Sequence, residues 1–148
     1  MDRAVAHEAG HVIVALGLGF CVERVEVANG FPRVRISNFD GAERTPEERY
    51  LVLTGGIANE FRLFGSYDQD AIGADQREIQ ARGGGSITNY ISDALKILNA
   101  QTVTLDSLVK RLSLNWIAAR AEAQFSSDPD TYEVMDASQL EQIWLGNG

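Results

Sequence analysis

His7-Glu8-Ala9-Gly10-His11, set between Val5 and Val12-Ile13, is an H-E-x-x-H pattern inside an apolar, alanine-rich run. On a helix, residues i and i+4 share one face about a turn apart, so two imidazoles at this spacing can hold one metal ion. Glu8, beside them, is placed to take a proton from a metal-bound water. The chain has 2 histidines, and both lie in this motif. The surrounding residues favour a helix over 2–18. Asp2 is its N-cap, Val5, Ala9, Val12, Ile13 and Leu16 form the buried stripe, and Gly17 and Gly19 end it. Gly10 costs about 1 kcal/mol relative to alanine inside a helix, which predicts a second backbone segment passing close to the motif.

Outward from the motif, residues 21–28 and 33–37 read as two strands around the Asn29-Gly30 turn, a small antiparallel hairpin with a bulge in its first strand. An edge strand beside the metal would suit capture of an extended peptide. Thr45-Pro46-Glu47-Glu48 opens a second helix, with Thr45 as N-cap, Pro46 at N1 and Glu48 closing a capping box. It runs to about Leu63, and Gly55-Gly56 in its middle predicts close packing on another helix. Residues 64–74 read as a loop and Asp75 as the start of a short helix that ends near Gly83-Gly84-Gly85. Helices follow over 87–100, from Thr104 or Asp106 to about Gln124, and from Asp136 to Trp144. The stripe Leu105, Leu108, Val109, Leu112 and Trp116 is the clearest of them. The fold class is mainly α (α+β), one domain over 1–148 with a metal-site half at 1–80 and a C-terminal helical bundle at 86–148.

With 148 residues and 45% hydrophobic composition, the chain can bury a core without disulfides. A formal net charge of −8 argues against a nucleic-acid partner. Cys21 is the single cysteine, which excludes an intrachain disulfide, fits a reducing compartment and suggests a small buried hydrophobe. No targeting signature opens the chain and no apolar stretch is long enough for a membrane span, so the expected location is cytoplasmic.

Catalytic zinc normally takes three protein ligands and leaves one position for water. With no third histidine, the remaining ligand is a carboxylate or Cys21. Glu60 on the second helix and Asp68, Asp70 and Asp75 around the following loop are the candidates. A structural site, closed by four protein ligands, would need two of these carboxylates and ranks last.

The motif helix resembles the peptidase domain of FtsH-type ATP-dependent zinc proteases. So do Gly55-Gly56-Ile57-Ala58-Asn59-Glu60 with Phe64-Gly65, similar to that family's Gly-Gly-x-Ala-x-Glu helix, and Gly73-Ala74-Asp75, similar to its Gly-Ala-x-x-Asp element. The resemblance covers most of the chain and is most specific before residue 80. It implies Zn²⁺ held by His7, His11 and Asp75, Glu8 as general base, and Glu60 as a carboxylate behind the ligands, with Asp70 an alternative. It implies an endopeptidase acting on unfolded or extended polypeptides, as a homo-oligomer or with a separate ATPase. Asp75 directly follows Gly73-Ala74, without the family's two intervening residues, and the sequence contains no G-x-x-x-x-G-K-[ST] element. Those departures motivate a second expectation, a catalytically silent peptidase-like binding or regulatory module.

Overall fold

A computed structural model describes residues 2–146. The motif helix α1 spans Arg3–Gly17, and the Asp2 side chain caps it by accepting from the Ala4 N–H. Strands β1 (Cys21–Ala28) and β2 (Phe31–Ser37) follow as the expected antiparallel hairpin, with an irregularity between Val22 and Arg24 where the bulge was anticipated. Helix α2 (Pro46–Phe64) begins with the Thr45–Glu48 capping box and ends on Gly65 in the left-handed conformation. Then come α3 (Gln69–Ala81), a 3₁₀ turn (Ile87–Asn89), α4 (Ile91–Asn99), α5 (Thr102–Ala123), β3 (Tyr132–Asp136) and α6 (Ala137–Trp144). The architecture is mainly helical with a small antiparallel sheet, as expected.

The structure differs from the sequence expectations at three places. The loop assigned to 64–74 is largely helix: Asp68 caps α3 by accepting from the Asp70 N–H, so Asp75 sits well inside a helix and not at its start. Ile79 is the one residue of α3 that is fully buried, so the helix carries no apolar stripe to reveal it. The hairpin gains a third strand, β3, which pairs antiparallel with β1 and leaves β2 on the edge in the order β2-β1-β3. Cys21 is exposed, not buried, at the start of β1. A smaller difference is that α5 begins at Thr102, with Gln101 in the capping position instead of Thr104 or Asp106.

The main core lies between α1, α2, α4, α5 and the inner face of the sheet, and includes Val12, Ile13, Leu98, Leu108, Leu112 and Met135. Helices α1 and α2 cross where their glycines meet. A Cβ on Gly10 would lie 2.1 Å from the Gly55 carbonyl oxygen, and one on Gly55 would lie 2.6 Å from that of Gly10. At the same seam the Asn59 amide donates to the Ala6 carbonyl at 2.7 Å. This is the close backbone approach that Gly10 and the Gly55-Gly56 pair predict.

A second, smaller core positions α3. Tyr50 and Ile57 of α2 pack with Ile79 of α3 and with Ile87. Burying one isoleucine is worth about 1.5–3 kcal/mol, enough to fix the rotation of so exposed a helix. Gln76 reinforces it, donating to the Gly85 carbonyl at 2.8 Å and accepting from the Ile87 N–H at 2.7 Å. Among the described residues no helix is long and apolar enough to cross a membrane.

Candidate metal centre

One turn of α1 presents His7 and His11 to the same side, with their Nε2 atoms 3.0 Å apart. Gly56 makes room for them. A Cβ there would stand 2.5 Å from His7 Nε2 and 2.7 Å from His11 Nε2. Helix α3 brings Asp75 over the pair, its Oδ2 3.0 Å from His7 Nε2 and 3.5 Å from His11 Nε2. The ligand-type atoms of His7, Glu8 and His11 lie within 4.8 Å of one another, so the Glu8 carboxyl shares this pocket.

The other ring nitrogens are held from behind. His7 Nδ1 lies 2.6 Å from Glu60 Oε2, and His11 Nδ1 lies 2.7 Å from the Val52 carbonyl oxygen of α2. Both partners are acceptors, so each Nδ1 carries a proton, and a ring without a second proton turns a lone pair at Nε2 toward the other and toward Asp75. Asp75 Oδ2 is buried and accepts no hydrogen bond of sound geometry, and Glu8 Oε2 is buried without a partner. Three polar atoms that face one another at 3.0–3.5 Å call for a positive charge between them, either a proton or a metal ion. A tetrahedral ion with ligands at about 2.0–2.1 Å spaces them about 3.3 Å apart, so the donor set fits a zinc-sized cation.

Glu60 ties the site to α3. Its Oε1 accepts from the Asp68 N–H at 3.1 Å, and Arg3 Nη1 lies 3.4 Å away. Arg3 also donates to the Ser66 carbonyl at 3.0 Å and to Ser66 Oγ at 2.8 Å. One carboxylate therefore orients the His7 ring and anchors the start of the helix that carries Asp75. Glu60→Gln is expected to weaken metal affinity about 10–100-fold, the usual cost of losing such a supporting carboxylate. Competition with a chromophoric chelator checks this, and unchanged affinity would contradict it.

The electrostatics follow from the same crowding. Burial opposes a charge on His7, but the carboxylates of Asp75 and Glu60 prevail and it is pushed up to about 10. His11 is raised too, with burial acting against it and Asp75 for it. Burial likewise opposes a charge on Asp75, yet the two imidazoles hold it well below the usual carboxylate range. Burial pushes the Glu8 carboxyl up. A proton and a metal cation therefore compete for the same nitrogens. Because His7 is raised above its ordinary 6.5, the proton is held through neutrality and released only as pH climbs toward about 10. Metal affinity is expected to rise with pH across that window, by up to about tenfold per unit for each displaced proton. Titrations at pH 6, 7 and 8, with proton release followed in weak buffer, test the sign.

The site opens into a cleft of about 810 Å³ between α1 and α3 on one side and β2 on the other. Asp68 and Asp70 line this cleft without contacting either imidazole: Asp68 caps α3 and Asp70 occupies its first turn. Cys21 is not among the cleft residues. The Val52 carbonyl and the spacing role of Gly56 were not apparent in the sequence. A backbone acceptor leaves no side-chain signal, and Gly-Gly reads only as a close approach. No family model matches the chain, and no curated protein matches it.

Proposed function

We propose that this chain is a zinc-dependent peptidase domain of the FtsH type, hydrolysing extended polypeptides. The observation that carries the reading is the convergence of His7 Nε2, His11 Nε2 and Asp75 Oδ2 within 3.0–3.5 Å. Beside them lies a buried Glu8 oxygen that has no partner. His7, His11 and Asp75 would hold Zn²⁺, which when bound polarises a carbonyl and brings the pKa of its water to about 7. Glu8 does the proton work. Its carboxylate takes a proton as a water oxygen attacks the peptide carbon, and returns it to the amide nitrogen as the C–N bond breaks. Burial raises the proton affinity of Glu8, which suits a group that must both accept and donate near neutrality.

The cleft supports a polypeptide substrate. Strand β2 is an edge of the sheet and borders the cleft along Phe31–Ile36, so its outward backbone groups can pair with an extended chain laid across the site. Apolar side chains of Val34, Ile36 and Phe39 line the same wall. The test is cleavage of casein by zinc-loaded protein. Activity that a chelator abolishes and added zinc restores is the expected result. Zinc bound with no turnover of any unfolded substrate would overturn it in favour of a silent module.

A further inference from the structure

Three arginines cluster near Glu26 on the outer face of the sheet, where Glu133 stands opposite Glu26 and Glu23 lies 3.7 Å from Arg24. Arg24 and Arg33 both bond to Glu26, with Arg33 Nε 2.7 Å from Oε2. Arg35 stands directly opposite Arg24 across the β1–β2 ladder, on the same face and diagonal to Glu26. Glu26 already serves two guanidinium groups, and Arg35 has no ion-pair partner among the described residues. On the other wall of the cleft, Arg77 of α3 is exposed and lies back over Gly73, where a Cβ would come within 3.3 Å of its Nη1. It too has no ion-pair partner among the described residues. Both arginines line the cleft that holds the metal centre. Asp68 and Asp70 at the start of α3 and Glu23 of β1 line it as well, with the α3 dipole favouring the charge of Asp70 and Glu23 taken up by Arg24 and Ser37.

Arg35 and Arg77 are the cleft cations without an ion-pair partner among the described residues, set against Asp68 and Asp70 at the start of α3 and a chain of formal net charge −8. An acidic segment is repelled by the molecule at large, so its attraction must be local. Successive side chains of a strand point to opposite faces. A peptide added to the free edge of β2 would set every second side chain on the outer face, beside Arg35, and the others inward, toward Val34 and Ile36. We infer that Arg35 and Arg77 make the cleft selective for polypeptide segments with Asp or Glu at alternate positions and apolar residues between them. This rests on the peptidase reading above and names its substrate class.

The test uses the zinc-loaded full chain carrying Glu8→Gln, which is expected to bind without cleaving. Three labelled ten-residue peptides share alternating Val and Phe, with Asp, Ser or Lys at the intervening positions, and binding is read by fluorescence anisotropy. Opposite charges paired across strands are each worth up to about fivefold, so the Asp peptide should bind about tenfold more tightly than the Ser peptide, with the Lys peptide weakest. Adding Arg35→Gln and Arg77→Gln should shrink that gap to about twofold or less, and salt should shrink it in the parent. Both side chains are exposed and unpaired, so these variants should fold. Equal affinity for all three peptides would overturn the selectivity and leave the peptidase reading standing. Equal competition by a single-stranded oligonucleotide of matched charge would overturn it in favour of general polyanion binding. Failure of every peptide to bind would overturn both.

Discussion

Glu8→Gln is expected to bind zinc with wild-type stoichiometry and to cleave casein about 10²–10⁴-fold more slowly than wild type. The amide keeps the volume of the carboxyl and removes only its ability to shuttle a proton. Metal binding should survive, because His7, His11 and Asp75 meet at 3.0–3.5 Å without help from Glu8. Stability should survive too. Glu8 is 5% exposed and its Oε2 has no hydrogen-bond partner, a burden of about 1–3 kcal/mol that a neutral side chain lightens. The variant is therefore expected to melt no lower than wild type. A residue that strains the fold while serving chemistry shows this opposite movement of stability and rate. Loss of zinc in Glu8→Gln would make Glu8 a ligand instead of a base, and full activity would remove it from the mechanism.

Alanine at Gly10 and at Gly56 should separate fold from site. At Gly10 the added carbon meets backbone, 2.1 Å from the Gly55 oxygen, and no rotamer change can relieve it. The helices must part, and overpacking of this kind costs about 3 kcal/mol against a gain of about 1 kcal/mol in helix propensity. Gly10→Ala is expected to lower the melting temperature markedly in zinc and in chelator alike. At Gly56 the carbon meets His7 and His11 at 2.5–2.7 Å. Those rings cannot swing aside while Glu60 and the Val52 carbonyl hold their Nδ1 atoms. Gly56→Ala is expected to weaken zinc binding on the order of 100-fold, with a smaller loss of melting temperature in chelator than Gly10→Ala. Thermal melts and zinc titrations of the two variants check this. Equal zinc affinity in Gly56→Ala and wild type would contradict the packing account.

The residues differ in how openly the sequence displayed their roles. His7, Glu8 and His11 form a local pattern, and Gly10 against Gly55-Gly56 announced a close helix crossing because three glycines inside helices need a reason. The Thr45–Glu48 capping box and the α5 stripe were equally plain. Asp75 was harder. The residues alone left Glu60, Asp68, Asp70 and Asp75 open, and only the resemblance singled out Asp75. Its helix escaped notice because Ile79 alone is buried there, so propensity and periodicity had little to report. Strand β3 escaped for a different reason. It is five residues long, and its partner β1 lies about a hundred positions earlier, as in the pairing of Tyr132 with Val27. Nothing local encodes such a contact. The unpaired state of Arg35 belongs to the same class, since it depends on Glu26 being taken by Arg24 on its own strand and by Arg33 across the ladder.

His7, His11 and Asp75 are placed to form one metal site. Zinc binding to wild type, His11→Ala and Asp75→Ala, titrated against a competing chelator, tests it most directly. Equimolar, chelator-competing binding is expected in wild type, with a loss of more than about 100-fold in both variants. Wild-type affinity in Asp75→Ala would contradict it and return Glu60 and Asp70 as third-ligand candidates, and no zinc binding by wild type would remove the metal centre altogether.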